Sequence, residues 1–329
     1  MRRILMFLML LELGVFGCEV SRTNLPYDCM FFTYDPTVAL LYSVEKIGFF
    51  NVVKSQVVWE VRVPHAWQKF GLPALSPDGV HLAATVRSGM LFIWNTVSGE
   101  LRASYKTPPL CGWWLTFLDE RRIILGGQYF CHETRIIDIT TGETLKTLPG
   151  AIYPLALSSN GRLLAAAVPF AEELIRVWDV ATGEVVSSFN LPAKVTSMTF
   201  DRTGKFIAIG SRDGKIYLWD VLNGSLVKVF KHDSPVVTLV LSPKGQLLAA
   251  SSLDDRIVIW TFPEGEKLVE VDVRRELLRL GLLPDPEKIW LETLDVYITS
   301  WSPDGKMISF SCCTSALGRE AFILRVPVL

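Results

Sequence analysis

Cys131-His132-Glu133, with Cys111 upstream, is the stretch of this chain where metal-ligating residue types crowd together. A zinc centre needs three or four such side chains converging on one point. Consecutive residues of an extended strand face opposite ways, so positions 131, 132 and 133 cannot all reach one ion. The other histidines, His65, His81 and His232, stand in no ligand spacing, and no metal site is expected. Cys111 and Cys131 are instead the candidate pair for a disulfide, conditional on an oxidising compartment. Cys312-Cys313 falls on opposite faces of a strand end and reads as two buried thiols. The six cysteines are too few and too dispersed for a disulfide framework. No nucleophile elbow, P-loop, dinucleotide fingerprint or zinc signature occurs, so no catalytic residue and no cofactor site is assigned.

Charge narrows the partners. The 33 basic and 34 acidic residues leave a net charge of -1, and no basic run exceeds two residues. The electrostatic footprint of a nucleic-acid binder is missing. Half of the 329 residues are hydrophobic, which suits strands buried on both faces.

The elements that must position any site are visible in Phe200 to Gly224, FDRTGKFIAIGSRDGKIYLWDVLNG. Asp201-Arg202-Thr203-Gly204 is a turn whose glycine accepts a positive φ. Phe206 to Ile209 is an apolar run of strand length, Ser211 to Gly214 a second turn, and Ile216 to Trp219 a β-branched and aromatic strand. Asn223-Gly224 is a strong hairpin signal. Aligned on Asp201, the unit recurs at Thr33, Ser76, Leu118, Ser158, Ser242 and Ser302, with successive spacings of 43, 42, 40, 43, 41 and 60. Three copies carry the turn as Ser-Pro-Asp/Lys-Gly, at 76–79, 242–245 and 302–305. The third segment ends on Trp94-Asn95, Trp178-Asp179, Trp219-Asp220 and Trp260-Thr261, and in degenerate form on Phe50-Asn51, Ile137-Asp138 and Leu324-Arg325. A unit of this kind cannot bury both faces alone and implies stacked neighbours.

This pattern resembles the WD-repeat family of β-propellers, over roughly residues 28–329 and in seven copies. The resemblance implies an all-β, seven-bladed propeller of four-stranded antiparallel blades. Its blades are expected at about 29–63, 66–108, 110–149, 151–190, 191–231, 232–273 and 294–329. It also implies a structural hydrogen-bond network: His232, Asp254 and Trp260 match three of its four members, with Ala250 where the hydroxyl would fall. Asp213 and Trp219 match two. A histidine near an aspartate can suggest acid–base chemistry, but these positions read as scaffold.

Two segments depart from the repeat. Residues 274–293 form an insertion before the last blade. Leu277, Leu278 and Leu280 with Arg274, Arg275 and Arg279 predict a short amphipathic helix, ended at Gly281 and barred from continuing by Pro284 and Pro286. It reads as a plug on the propeller edge or as a partner contact. Residues 1–17 read as a signal peptide: Arg2-Arg3, then the eight-residue apolar core Ile4 to Leu11, too short to span a bilayer. Residues 15–18 resemble the lipobox of bacterial lipoproteins, with Cys18 as the lipidated residue; Phe16 and Glu12 depart from that pattern. The resemblance to propellers implies that the N-terminus supplies the outer strand of the last blade, near 16–21. Cleavage before Cys18 leaves 19–23 to close the ring. In an uncleaved chain, 4–16 is expected either as that strand, paired with 322–328, or as a flanking apolar segment.

Trp67, Trp113, Trp114, Tyr129, Phe130, Tyr153 and Phe170 fall at or near strand starts and interblade loops, with Arg212 and Arg256 from two other loops. Aromatics with arginine are what protein-binding surfaces favour, although any single tryptophan here reads first as core. The expected function is a non-enzymatic scaffold, residues 18–329, binding a protein or peptide through loops on one face, monomeric, without nucleic acid. It is tethered in the cell envelope through Cys18 or, in the alternative, untethered in the cytoplasm. A propeller hydrolase or lyase using the central channel is the competing class and requires polar groups converging at the channel mouth.

Overall fold

A computed structural model describes residues 19–22, 27, 29–33, 38–43, 45–51, 54, 56–62, 73–86, 89–108, 111–127, 133–168, 171–281, 294–314 and 318–326. Seven four-stranded antiparallel blades form one ring. Blade 5 shows the plan: Val195–Phe200 is innermost, then Phe206–Ser211 and Lys215–Asp220, with Ser225–Lys231 outermost. The described strands from Cys29 onward fall within the expected blades, including the degenerate blade 1, whose strands run from Cys29–Phe32 to Gln56–Arg62. Blade 2 has the shortest inner strand, Ala74–Leu75. A parallel bridge between Gly127 and Ile152 joins blades 3 and 4.

Blades cohere because their middle strands are apolar on both faces. Each of the seven interblade spaces holds its own hydrophobic cluster. Between blades 3 and 4, for example, Ile124, Ile136 and Leu148 meet Leu155, Leu164 and Trp178. Fully burying one such side chain stabilises by about 1.5–3 kcal/mol.

The innermost strands of blades 3 to 7 each carry a register shift, at Cys111/Trp114, Ile152/Leu155, Val195/Ser197, Val236/Thr238 and Ile298/Ser300. A bulge re-aims a side chain. Here it turns three hydroxyls toward the next blade. Ser197 Oγ accepts the Leu239 N–H at 3.1 Å, Thr238 Oγ1 accepts that of Ile298 at 3.0 Å, and Ser300 Oγ accepts that of Phe32 at 2.7 Å. The last of these ties blade 7 to blade 1.

Ring closure is completed by Glu19–Arg22, which pairs antiparallel with Gly318–Arg325 in the register Glu19↔Arg325 to Arg22↔Phe322. Residues 19–22 of the expected closing segment 19–23 form this strand, and position 23 lies outside the described residues. The expected pairing of 4–16 with 322–328 is corrected at 322–325: Phe322 to Arg325 face Arg22 to Glu19, leaving those four positions no room for 4–16. Residues 1–18 lie outside the described residues. Tyr27 follows the closing strand and packs into the space between blades 1 and 7. Its hydroxyl donates to Glu60 at 2.5 Å, and a Cβ at Gly48 would stand 2.6 Å from that hydroxyl, so the glycine makes the room.

The insertion begins as a helix, Val273–Arg279, capped by Asp272, whose carboxylate accepts the Arg275 N–H at 2.9 Å. Gly281, at φ 66, follows it as expected. Val273 and Leu277 are fully buried in the cluster between blades 6 and 7, and Leu278 packs against it. Leu280 does not join them; it is exposed at the C-cap, past the last helical turn. Residues 282–293 lie outside the described residues.

Candidate functional site

Most polar residues that define the repeat are spent on turns. In the turn after the first strand of a blade, a hydroxyl or carboxylate accepts the N–H five residues on. Ser76 accepts from His81 at 2.8 Å, Ser158 from Leu163 at 2.9 Å, Asp201 from Phe206 at 2.7 Å, and Ser302 from Met307 at 2.9 Å. In the turn after the third strand, the residue following the tryptophan position does the same work. Asn95 Oδ1 accepts from Val97 and Ser98 at 2.9 Å, and Asp179 Oδ1 from Ala181 and Thr182 at 3.0 Å. Asp138 needs no tryptophan before it. It accepts the Thr140 N–H and hydroxyl and pairs with Arg121 at 2.8 Å. These partners hold its carboxyl at about 2, below the ordinary carboxylate range.

The blade networks are only partly assembled. His232 is buried, edge-on to the Trp260 ring at 5.5 Å, and its Nε2 lies 3.4 Å from the Ala250 carbonyl. With no hydroxyl at 250, the backbone oxygen takes that place. Asp254 turns elsewhere: it accepts from the Ser252 hydroxyl and stands 3.5 Å from Arg256 Nε. His232 Nδ1 has no partner among the described residues. A His–Asp dyad is therefore not formed. In blade 5, Asp213 accepts from the Tyr217 hydroxyl at 2.6 Å and pairs with Lys215 at 3.2 Å. Burial and this bond push the Tyr217 phenol up. Trp219 instead stacks on Phe189 of blade 4 at 4.7 Å, with its indole N–H unpartnered among the described residues. Asp213 and Trp219 serve different contacts.

In an antiparallel blade, the turn between the second and third strands shares one end of the ring with the loop from an outer strand to the next inner strand. On this face, backbone bonds pin turn to loop: Arg212 N–H to Lys194 O at 3.0 Å, His232 N–H to Gly214 O at 2.8 Å, Leu253 N–H to Pro235 O at 3.0 Å, and Val273 N–H to Asp255 O at 2.9 Å. Arg212 is exposed and makes no ion pair among the described residues. Leu253 is 54% exposed. Arg256, expected in a loop, opens the strand Arg256–Thr261, and its guanidinium binds the Glu270 carboxylate. Its charge is matched within the blade, so it is no free binding group. Trp114 packs with the cluster between blades 3 and 4 and is core. Cys18, Trp67, Tyr129, Phe130, Cys131, His132 and Phe170 lie outside the described residues, as do the side chains of Cys111, Trp113, Tyr153 and Cys313. Cys312 is a buried thiol.

Asp255 is a site residue that the sequence did not single out. It occupies the position that glycine holds in blade 5, Gly214 at φ 76, and takes φ 64 itself. Its carboxylate pairs with Arg274 of the insertion at 2.6 Å, both side chains nearly buried. Burial pushes the Asp255 carboxyl up, and Arg274 opposes that shift. Among the described residues, no three His, Cys, Asp or Glu side chains gather to hold a metal ion, and no helix is long and apolar enough to cross a membrane.

Comparison with known proteins agrees with this geometry. Residues 183–220 and 224–261 match the family model described as WD domain, G-beta repeat. A stretch of 163 residues is 28% identical to the pre-rRNA-processing protein crb3/ipi3 of Schizosaccharomyces pombe, covering 42% of this chain and 35% of that protein. The U3 small nucleolar RNA-associated protein 21 homolog of the same yeast is 35% identical over 77 residues, 22% of this chain and 8% of its own length. The WD repeat-containing protein SL1-17 of Schistosoma mansoni is 25% identical over 141 residues, 42% and 46% of the two chains. The matched stretches thus span less than half the length of each of these relatives. The β-propeller domain of Myceliophteria thermophila Cps50 (Swd1) superposes with a TM-score of 0.72 at 14% identity, over 94% of this chain and 100% of that domain. These matches, with the seven four-stranded blades, support a WD-repeat propeller.

Proposed function

We propose that this WD-repeat propeller is a non-enzymatic scaffold that binds a protein or peptide through the face carrying Arg212 and Leu253. The observation that carries the reading is the pinning of that face. Its turns and interblade loops are tied by backbone hydrogen bonds, while the side chains of Arg212 and Leu253 are exposed and have no partner to leave among the described residues. A preorganised surface loses little conformational entropy on binding. Arginine and apolar groups are what such interfaces use. The relatives' names place them in rRNA processing and small nucleolar RNA-associated roles, which fits a subunit that joins other macromolecules.

A photo-crosslinking residue at position 212, in the full chain in its native host, tests this. The reading expects a saturable adduct with a discrete protein, lost when Lys194→Glu is added. Only diffuse adducts, unchanged by that substitution, would count against it.

A lipid tether at Cys18 is a second reading. It is favoured by the four described closing pairs, Glu19↔Arg325 to Arg22↔Phe322, all lying after that cysteine, so cleavage there would spare them. Intact mass of the native protein and of Cys18→Ala decides it. Acyl mass on a species starting at Cys18, lost in the variant, supports the tether; an unmodified species starting at Met1 in both removes it.

A further inference from the structure

Asparagine is among the chemically labile side chains, and a following glycine makes it more so. With no Cβ to shield it, the glycine amide nitrogen can reach the asparagine Cγ. The dipeptide occurs twice in this chain, as Asn160-Gly161 and Asn223-Gly224. Both lie in blade turns, with the asparagine exposed and the glycine at positive φ, 69 and 59.

The two turns treat the reacting atoms differently. In blade 4 the Gly161 N–H donates to the Ser158 carbonyl at 2.8 Å. Asn160 Oδ1 accepts the Ser158 hydroxyl at 2.7 Å and the Arg162 N–H at 3.0 Å. A Cβ at Gly161 would stand 2.9 Å from a Leu118 methyl carbon, so the turn is also closely packed. Nucleophile and carboxamide are both held.

Blade 5 leaves them open. Gly99, Gly142, Gly183 and Gly265, at the position of Gly224 in four other blades, each donate the N–H to the carbonyl four residues before. The Gly224 N–H makes no hydrogen bond among the described residues. The carboxamide of Asn223 is held there only through Nδ2, which donates to Asp220 at 3.0 Å. A Cβ at Gly224 would meet nothing nearer than Ser187 Oγ at 3.8 Å, so the turn has room for a new ring. The residues at the position of Asn223 in those four blades are Ser98, Thr141, Thr182 and Glu264, none with a side-chain amide.

We propose that Asn223 is a site of self-modification. The Gly224 nitrogen bonds to Asn223 Cγ and gives up its proton, the Cγ–Nδ2 bond breaks, and ammonia leaves with that proton. Water then opens the succinimide at either carbonyl, giving aspartate or isoaspartate at 223. Both products act on Asp220, which is buried and accepts the Asn223 N–H and Nδ2. Aspartate sets a second carboxylate where a donor stood, and like charges at that range repel. Isoaspartate adds a methylene to the backbone directly before the outer strand Ser225–Lys231. The turn becomes an age-dependent weak point in blade 5.

The test incubates the full chain in mildly alkaline buffer, native and in urea, and follows both asparagines by peptide mapping and mass spectrometry. In the native protein position 223 should convert at least tenfold faster than position 160, and in urea the gap should close. Gly224→Ala should slow conversion at 223 at least tenfold and leave 160 unchanged; circular dichroism checks that it is folded. Asn223→Asp should melt below the parent. Equal native rates, faster conversion at 160, or a gap that persists in urea overturns the proposal. An Asn223→Asp variant that melts with the parent overturns the weak point.

Discussion

A methyl group added at Gly79 and one added at Gly142 should not cost the same. Both glycines sit in turns at positive φ, 71 and 77. A side chain in that region costs about 1–2 kcal/mol wherever it is placed. At Gly79 a Cβ meets nothing within 4 Å; at Gly142 it would stand 2.2 Å from a Tyr105 ring carbon, the ring that bridges blades 2 and 3. Gly142→Ala should therefore exceed Gly79→Ala by at least about 1 kcal/mol in urea unfolding. Equal costs would mean that the turn relaxes away from the ring. The acid response also belongs to single residues. Asp138 has a folded-state pKa of about 2, below its unfolded value. Its contribution is present in full above the unfolded pKa and is lost as pH falls through the folded one, because the unfolded chain then binds the extra proton. Asp138→Asn should flatten the fall in stability between roughly pH 4 and pH 2 relative to the parent. An unchanged slope in acid titrations would assign the acid sensitivity to other carboxylates.

At the scale of elements, the insertion helix depends on an aspartate where the repeat prefers glycine. Removing Arg274 strands the nearly buried Asp255 carboxylate, which costs on the order of 3 kcal/mol. Removing the aspartate instead relieves the positive φ, which offsets part of the cost of taking that partner from the nearly buried Arg274. Thermal melts should rank Arg274→Ala well below Asp255→Gly; the reverse order would show that the ion pair contributes little to holding the helix. Much at this scale was legible in the sequence. The Ser-Pro-Asp/Lys-Gly and Gly-Glu turns marked most of the blades, and Asp138 could be aligned to Asp179 although Ile137 replaces tryptophan. The bulges were not legible, because nothing in Val-Thr-Ser-Met marks an extra residue in a strand. Among the described residues their hydroxyl ties run through blades 5, 6 and 7; in blades 3 and 4 the corresponding positions hold Trp114 and Pro154. The network readings went astray for a local reason. Tyr217 offers Asp213 a hydroxyl, and Ser252 and Arg256 occupy Asp254, so neither carboxylate reaches the partner that pattern alone assigns it.

At the scale of the whole molecule, closure rests on a strand of four residues. Deleting residues 1–23 removes Glu19–Arg22 and leaves Phe322 to Arg325 as a bare edge. The interblade cluster that holds Phe310 and Phe322 remains, so the chain should stay folded. Its melting temperature should fall by at least about 5 °C, with new concentration-dependent association, read by calorimetry and light scattering. A truncated protein that melts with the parent would show that the hydroxyl ties and the blade 7–1 cluster suffice. The two faces of the ring also differ in kind. One is pinned by backbone bonds between turns and loops, while on the other the turns of blades 2 to 6 abut the outer strands of the blades before them.

The pairing of Arg22 with Phe322 also sets a timetable. Three hundred residues separate the two. At a synthesis rate of 5–20 residues per second, the first strand made waits on the order of 15–60 s for its partner. Six blades can assemble in sequence as they emerge, while this one segment must stay unpaired and accessible until the last is complete. Anything that engages the chain early at that segment, whether a processing enzyme or a binding protein, would act on a ring that cannot yet shut.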